Sequence, residues 1–62
     1  MNPIQQAVQE VETTDLNEYV DVFKKHSDYR ISGMAKAAEQ RLLNGDPETA
    51  RQWLVWAAGK LE

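Results

Sequence analysis

Apolar residues return along this chain with the period of an α-helix in three clear stretches and one faint one. The clearest runs from Asp46 to Leu61. There Ala50, Trp53, Leu54, Ala57, Ala58 and Leu61 recur at i, i+3, i+4, i+7, i+8 and i+11 and form one apolar face. Asp46 suits the N-cap of that helix, and Pro47 its first position, where a missing N–H is no loss. Upstream, Ile31, Met34, Ala35, Ala38 and Leu42 form a second stripe, which predicts a helix from about residue 28 or 29 to Asn44. Asn44-Gly45 stops it, because Gly45 supplies the left-handed residue that closes a helix, and Asp46-Pro47 starts the next at once. So short a junction predicts an antiparallel hairpin whose two stripes face each other.

The third stretch is Leu16, Tyr19, Val20 and Phe23, predicting a helix over about residues 15–26. Asp15 and Glu18 read as a capping-box variant at its start, and Lys24, Lys25 and His26 complement the macrodipole at its end. Residues 2–12 carry the faint pattern. Asn2 and Pro3 suit a helix start and Ile4, Val8 and Val11 fall on one side, but Gln5, Gln6, Gln9, Glu10 and Glu12 leave little to bury. Residues 1–13 are therefore expected to be an N-terminal tail or a short marginal helix, or an arm that orders against a partner. Gly33, inside the second helix, predicts a close helix approach there, with Ala37 four residues on. No alternating β-branched run bounded by turns is present. The expected fold is all-α: a small three-helix domain over residues 14–62 with a C-terminal helical hairpin, completed by homodimerisation.

Self-association enters through the tryptophans. Trp53 belongs to the main face of the last helix, Trp56 falls at its edge, and Val55 points to the opposite side. The run Trp53-Leu54-Val55-Trp56-Ala57-Ala58 is apolar around much of the circumference, and such a helix is usually covered on more than one side. Three short helices supply too little protein to do that. A second copy or another protein packed over Trp56, Val55 and Trp53, joined by Tyr29, resolves the difficulty.

Composition narrows the function classes. Sixty-two residues make at most one domain, and the absence of cysteine removes disulfides, thiolate nucleophiles and thiolate metal sites. Chains this short often oligomerise to complete a core. The net charge of −3 disfavours nonspecific binding to nucleic acid. No apolar run approaches a membrane span, and no basic region followed by an apolar stretch opens the chain. A cytoplasmic protein of bacterial or phage type is the expectation.

Candidate chemistry is sparse. No nucleophile–base pair, phosphate-cradling glycine loop or metal constellation is legible, so neither catalysis nor a cofactor is expected. His26, the one histidine, has no acidic or histidine partner at ligand spacing and reads as a surface or C-capping residue. Asp15, Glu18 and Asp21 lie along one polar side and read as an acidic docking face for a basic partner. Lys24, Lys25, Arg30 and Lys36 gather near the first junction as possible phosphate contacts. A helix-turn-helix reading of the hairpin meets Arg41 and Arg51 where that motif wants small and branched apolar residues. The stretch from Gly45 to Leu54 resembles a tetratricopeptide-type helix start, but no second copy follows at repeat spacing.

The leading expectation is a protein–protein interaction module, an adaptor, inhibitor or regulator, that forms a homodimer and binds an unidentified protein. The alternative is a nucleic-acid-associated regulator using Lys24, Lys25 and Arg30.

Overall fold

The computed structural model describes residues 1–61; Glu62, the last residue of the expected domain, lies outside them. Four α-helices follow one another: α1 (Pro3–Glu10), α2 (Leu16–Lys24), α3 (Tyr29–Leu43) and α4 (Pro47–Ala58), with a 3₁₀ turn at Thr13–Asp15 leading into α2. The all-α class stands as the periodicity predicts. The number of packed helices does not: of the readings of residues 1–13, the short helix is the one that forms, as α1, and it packs into the unit, so four helices replace three.

The α3–α4 hairpin is the most extensive contact in the molecule. Its turn is a complete Schellman closure. Gly45 adopts φ +77°, the Gly45 N–H donates to the Leu42 carbonyl (3.1 Å), and the Asp46 N–H donates to the Arg41 carbonyl (2.8 Å). Asp46 then N-caps α4, accepting from the Thr49 N–H at 3.3 Å. One residue thus ends α3 and begins α4, which leaves the two helices no choice but to run antiparallel side by side. Ala35, Ala38, Ala50, Ala57 and Ala58 are all fully buried. These small side chains, and not Gly33, let the helices approach. Gly33 is exposed, and a methyl group added there would meet nothing within 4 Å, so the predicted close packing at that residue is absent.

α2 lies mainly on α3 and places Leu16, Val20 and Phe23 in the core opposite Ile31 and Leu54. Lys24 reaches across to Glu39 of α3 (2.9 and 3.1 Å), pinning the end of α2. The predicted capping box at Asp15 does not form. Asp15 has αR backbone angles as the last residue of the 3₁₀ turn, and its side chain caps nothing, so α2 begins by continuing that turn. The Ser27–Asp28 break caps as expected: the Asp28 carboxylate accepts from the Arg30 N–H at 2.9 Å.

α1 packs almost entirely on α4, antiparallel to it. It contributes one fully buried side chain, Val8, with Val11 just beyond its end packed at the margin of the core. So small an apolar contribution does not by itself hold a helix this short, and the remainder is polar. Asn2 and Gln5 form a reciprocal capping box at the α1 N-terminus, with bonds of 2.7 and 2.9 Å. Their amide nitrogens then turn outward from the box. Asn2 Nδ2 donates to the Ala58 carbonyl (3.0 Å) and Gln5 Nε2 to the Val55 carbonyl (3.1 Å), at the C-terminal end of α4. At the opposite end, one terminal nitrogen of Arg51 donates to the carbonyls of Val8 (2.8 Å), Gln9 (3.0 Å) and Val11 (2.6 Å). Those carbonyls belong to the last turn of α1 or just beyond it, where the helix itself offers no donor. Each helix therefore donates to carbonyls at the other's C-terminal end: Arg51 to ones that α1 leaves free, and Asn2 and Gln5 to oxygens that already accept from the Leu61 and Gly59 N–H groups. Gly59 makes room for this, because a Cβ there would come within 2.6 Å of Gln5 Nε2.

Two outcomes follow. Arg51→Ala removes a charged donor from three carbonyls and is expected to lower unfolding free energy by about 2 kcal/mol, measured by urea denaturation, with Arg51→Lys recovering only part because the shorter side chain sets its ammonium nearer the backbone than the guanidinium's terminal nitrogen. Gly33→Ala, in an open helical position, is expected to raise stability by about 0.5–1 kcal/mol. A loss of stability in Gly33→Ala shows a packing role for that glycine.

Candidate functional site

With α1 and α2 on one side of the hairpin, the opposite side carries the aromatic residues. Helical geometry turns Met34 and Ala37 of α3, and Trp53 and Trp56 of α4, away from the buried seam in the same sense, so the two rows run side by side. Met34, Ala37 and Trp53 are partly buried and Trp56 is 50% exposed. The two indoles meet edge to face, with centroids 5.2 Å apart and planes at 87°, a favoured aromatic geometry. Trp53 thus holds Trp56 in place while leaving half of it in water.

The other two residues expected on this surface lie elsewhere. Val55 is only 6% exposed, because α1 covers it. The reason is geometric: Val55 shares a side of α4 with Arg51 and Ala58, the residues that bind α1, so it belongs to the internal contact and is not free for an external one. Tyr29 is 82% exposed, but at helical spacing it lines up with Lys36 and Leu43 on the side of α3 turned away from Met34 and Ala37. It does not join the tryptophans.

The acidic face stands on α2. Asp15, Glu18 and Asp21 are exposed, and among the described residues none of them forms an ion pair. Asp15 and Glu18 border a depression of about 250 Å³ whose other walls are Val11, Tyr19 and Val22. Tyr19 is held by an edge-on contact with the buried Phe23 ring, centroids 6.1 Å apart, and Val22 is 66% exposed. Its position at i+7 from Asp15, the last residue of the 3₁₀ turn, places Val22 on the same side of the helical run, so carboxylates at one end and apolar groups at the other line one groove. Sequence reasoning found the carboxylates but missed the apolar floor, since Val11 comes from the connection after α1 and meets α2 only in the folded chain.

The four candidate phosphate contacts do not act as one free patch. Lys24 is committed to Glu39, and Arg30 makes a two-pronged ion pair with Asp28 (2.8 and 3.2 Å), leaving Lys25 and Lys36 exposed. His26 is part of the same turn, its Nδ1 accepting from the Asp28 N–H at 3.0 Å. Among the described residues no three His, Asp or Glu side chains converge on a point that would hold a metal ion, and no helix is long and apolar enough to cross a membrane. No protein-family model, curated protein or solved structure matches the chain.

The side-chain hydrogen bonds from Arg30, reinforced by its backbone N–H, hold the Asp28 carboxyl at a pKa of about 2, below its ordinary value of 3.8. A carboxylate depressed in the folded state adds stability that is complete above about pH 4 and is lost as pH falls through about 2. The first turn of α3 is therefore expected to loosen over that interval, followed through the Arg30 amide by NMR. Asp28→Asn, which keeps a capping oxygen, is expected to remove the pH dependence.

Proposed function

We propose that this chain is a protein–protein interaction module, one that associates with a second copy of itself through the Trp56 side of the α3–α4 hairpin and binds a further protein through its acidic α2 face. The observation that supports the first half is Trp56 itself, half exposed on a closed core and fixed edge-on by Trp53. A rigid, pre-positioned indole loses little entropy on burial, and such aromatic anchors carry a large share of interface energy. Met34 and Ala37 alongside it extend the apolar surface across the hairpin. The second half draws on Asp15, Glu18 and Asp21, unpaired among the described residues, which attract and orient a cationic partner before contact. Such a module acts by occupancy, as adaptor, inhibitor or regulator, and needs no bond-making chemistry. A soluble, cytoplasmic setting suits that role.

Nucleic-acid binding is the weaker reading. It asks Lys24 and Arg30 to abandon carboxylates already within bonding distance, on a chain whose net charge is −3.

Trp56→Ala is expected to shift the chain to monomer in sedimentation equilibrium while moving the thermal midpoint by only a few degrees, since half the side chain is already wet. A parent protein that stays monomeric at millimolar concentration refutes the self-association half. A variant that unfolds outright assigns Trp56 to the core instead.

A further inference from the structure

We infer that the depression between α2 and the end of α1 is a docking groove for a cationic amphipathic helix of a partner protein. The inference rests on the reading of the chain as an interaction module but not on its dimerisation. Three features of the groove converge on that occupant.

The first is shape and lining. A depression of about 250 Å³ walled by Val11, Tyr19 and Val22 accommodates one or two medium apolar side chains, not a folded surface. A helix presents its apolar anchors at i and i+3 or i+4, and the wall residues Asp15, Glu18, Tyr19 and Val22 repeat with that same spacing along α2, so two helices laid side by side match in pitch. The second is charge. Asp15 and Glu18 border the apolar floor, Asp21 stands one turn from Glu18, and none of the three is paired among the described residues. Lysine or arginine flanking the ligand's apolar anchors answers those carboxylates directly. A second copy meeting the groove with its own acidic α2 face sets carboxylate against carboxylate, and nucleic acids and anionic lipid surfaces are likewise repelled there, by a chain whose net charge is −3. The third is rigidity. Tyr19 is braced by Phe23, and Val11 is fixed by the Arg51 bond to its carbonyl, so the groove exists before the ligand arrives.

The test uses the full chain and a fluorescein-labelled designed peptide with leucine along one helical face and lysine along the other, followed by anisotropy. A control peptide keeps the leucines and carries glutamate in place of every lysine. Saturable binding of the lysine peptide is expected, weakening as salt rises, with no binding of the glutamate peptide. Asp15→Asn combined with Glu18→Gln is expected to weaken binding about tenfold and flatten its salt dependence. Val22→Ser is expected to weaken it by a further factor of roughly five to ten through lost apolar burial. All three sites are exposed, and circular dichroism verifies that each variant keeps its helices. Trp56→Ala is expected to leave peptide affinity unchanged, which separates this groove from the self-association surface. Equal binding of both peptides, or undiminished binding by the double neutralised variant, overturns the inference. So does a change in the sedimentation of the Val22→Ser variant with no change in peptide affinity, which hands the groove to a second copy.

Discussion

The apolar girth of α4 is the constraint from which the rest of this structure follows. Its buried and partly buried positions span about half the helical circumference, from Trp53 on one side through Leu54 to Val55 on the other. One antiparallel neighbour cannot cover so wide an arc. α3 takes the central seam, and the arc from Arg51 to Val55 and Ala58 is left for something else. The chain closes it with its own first turns, so the N-terminal helix is a structural member and not an appendage.

That solution is unusual in how little of it is hydrophobic. Val8 is the one side chain of α1 that is fully buried. The alignment comes from an exchange of hydrogen bonds between helix ends: Asn2 and Gln5 serve carbonyls in the last turn of α4, and Arg51 serves those at the end of α1. Antiparallel geometry makes the exchange possible, because it sets the C-terminal end of each helix beside the N-terminal part of the other. Unmet carbonyls at a helix end are a cost to any short helix. Here the unmet ones at the end of α1, bound by Arg51, and the second lone pairs of the Val55 and Ala58 carbonyls, bound by Gln5 and Asn2, hold the two helices in register. Hydrogen bonds of this kind are directional where apolar contact is not, so they fix the position of α1 along α4 as well as its presence.

How much of this was legible in the residues depends on the range of the signal. The α3–α4 hairpin was, down to the residue, because Asn44-Gly45-Asp46-Pro47 writes its stop and start in adjacent positions. The stripes of α2 and α3 were as well, since Leu16, Val20, Phe23, Ile31, Ala35 and Ala38 follow the helical period without interruption. The docking of α1 was not, and its helix was one of several readings that residues 1–13 allow, because its own apolar pattern is weak and its partners stand some 40 to 56 residues away. A local signal did exist: Gln5 three residues after Asn2 completes a capping box, the counterpart of the one wrongly expected at Asp15 and Glu18. Val55 was misplaced for the same reason, its cover being a helix that the pattern left in doubt. At the candidate sites the individual residues were visible, but their grouping was not. Tyr29 parted from the tryptophans, and Val11 joined the carboxylates of α2 only through the turn after α1.

With α1 in place, the outer surface divides into an aromatic side below the hairpin and an acidic groove above it, and the two surfaces differ in what they attract. The division depends on α1 staying docked, since its end forms one wall of the groove and its body hides Val55. Native-state hydrogen exchange at the amides of Ala7 to Val11 tests that most directly. Protection of the same order as that in α4 is the predicted result, with both lost together on unfolding. Exchange at the rate of an unstructured peptide, while α3 and α4 remain protected, contradicts the account.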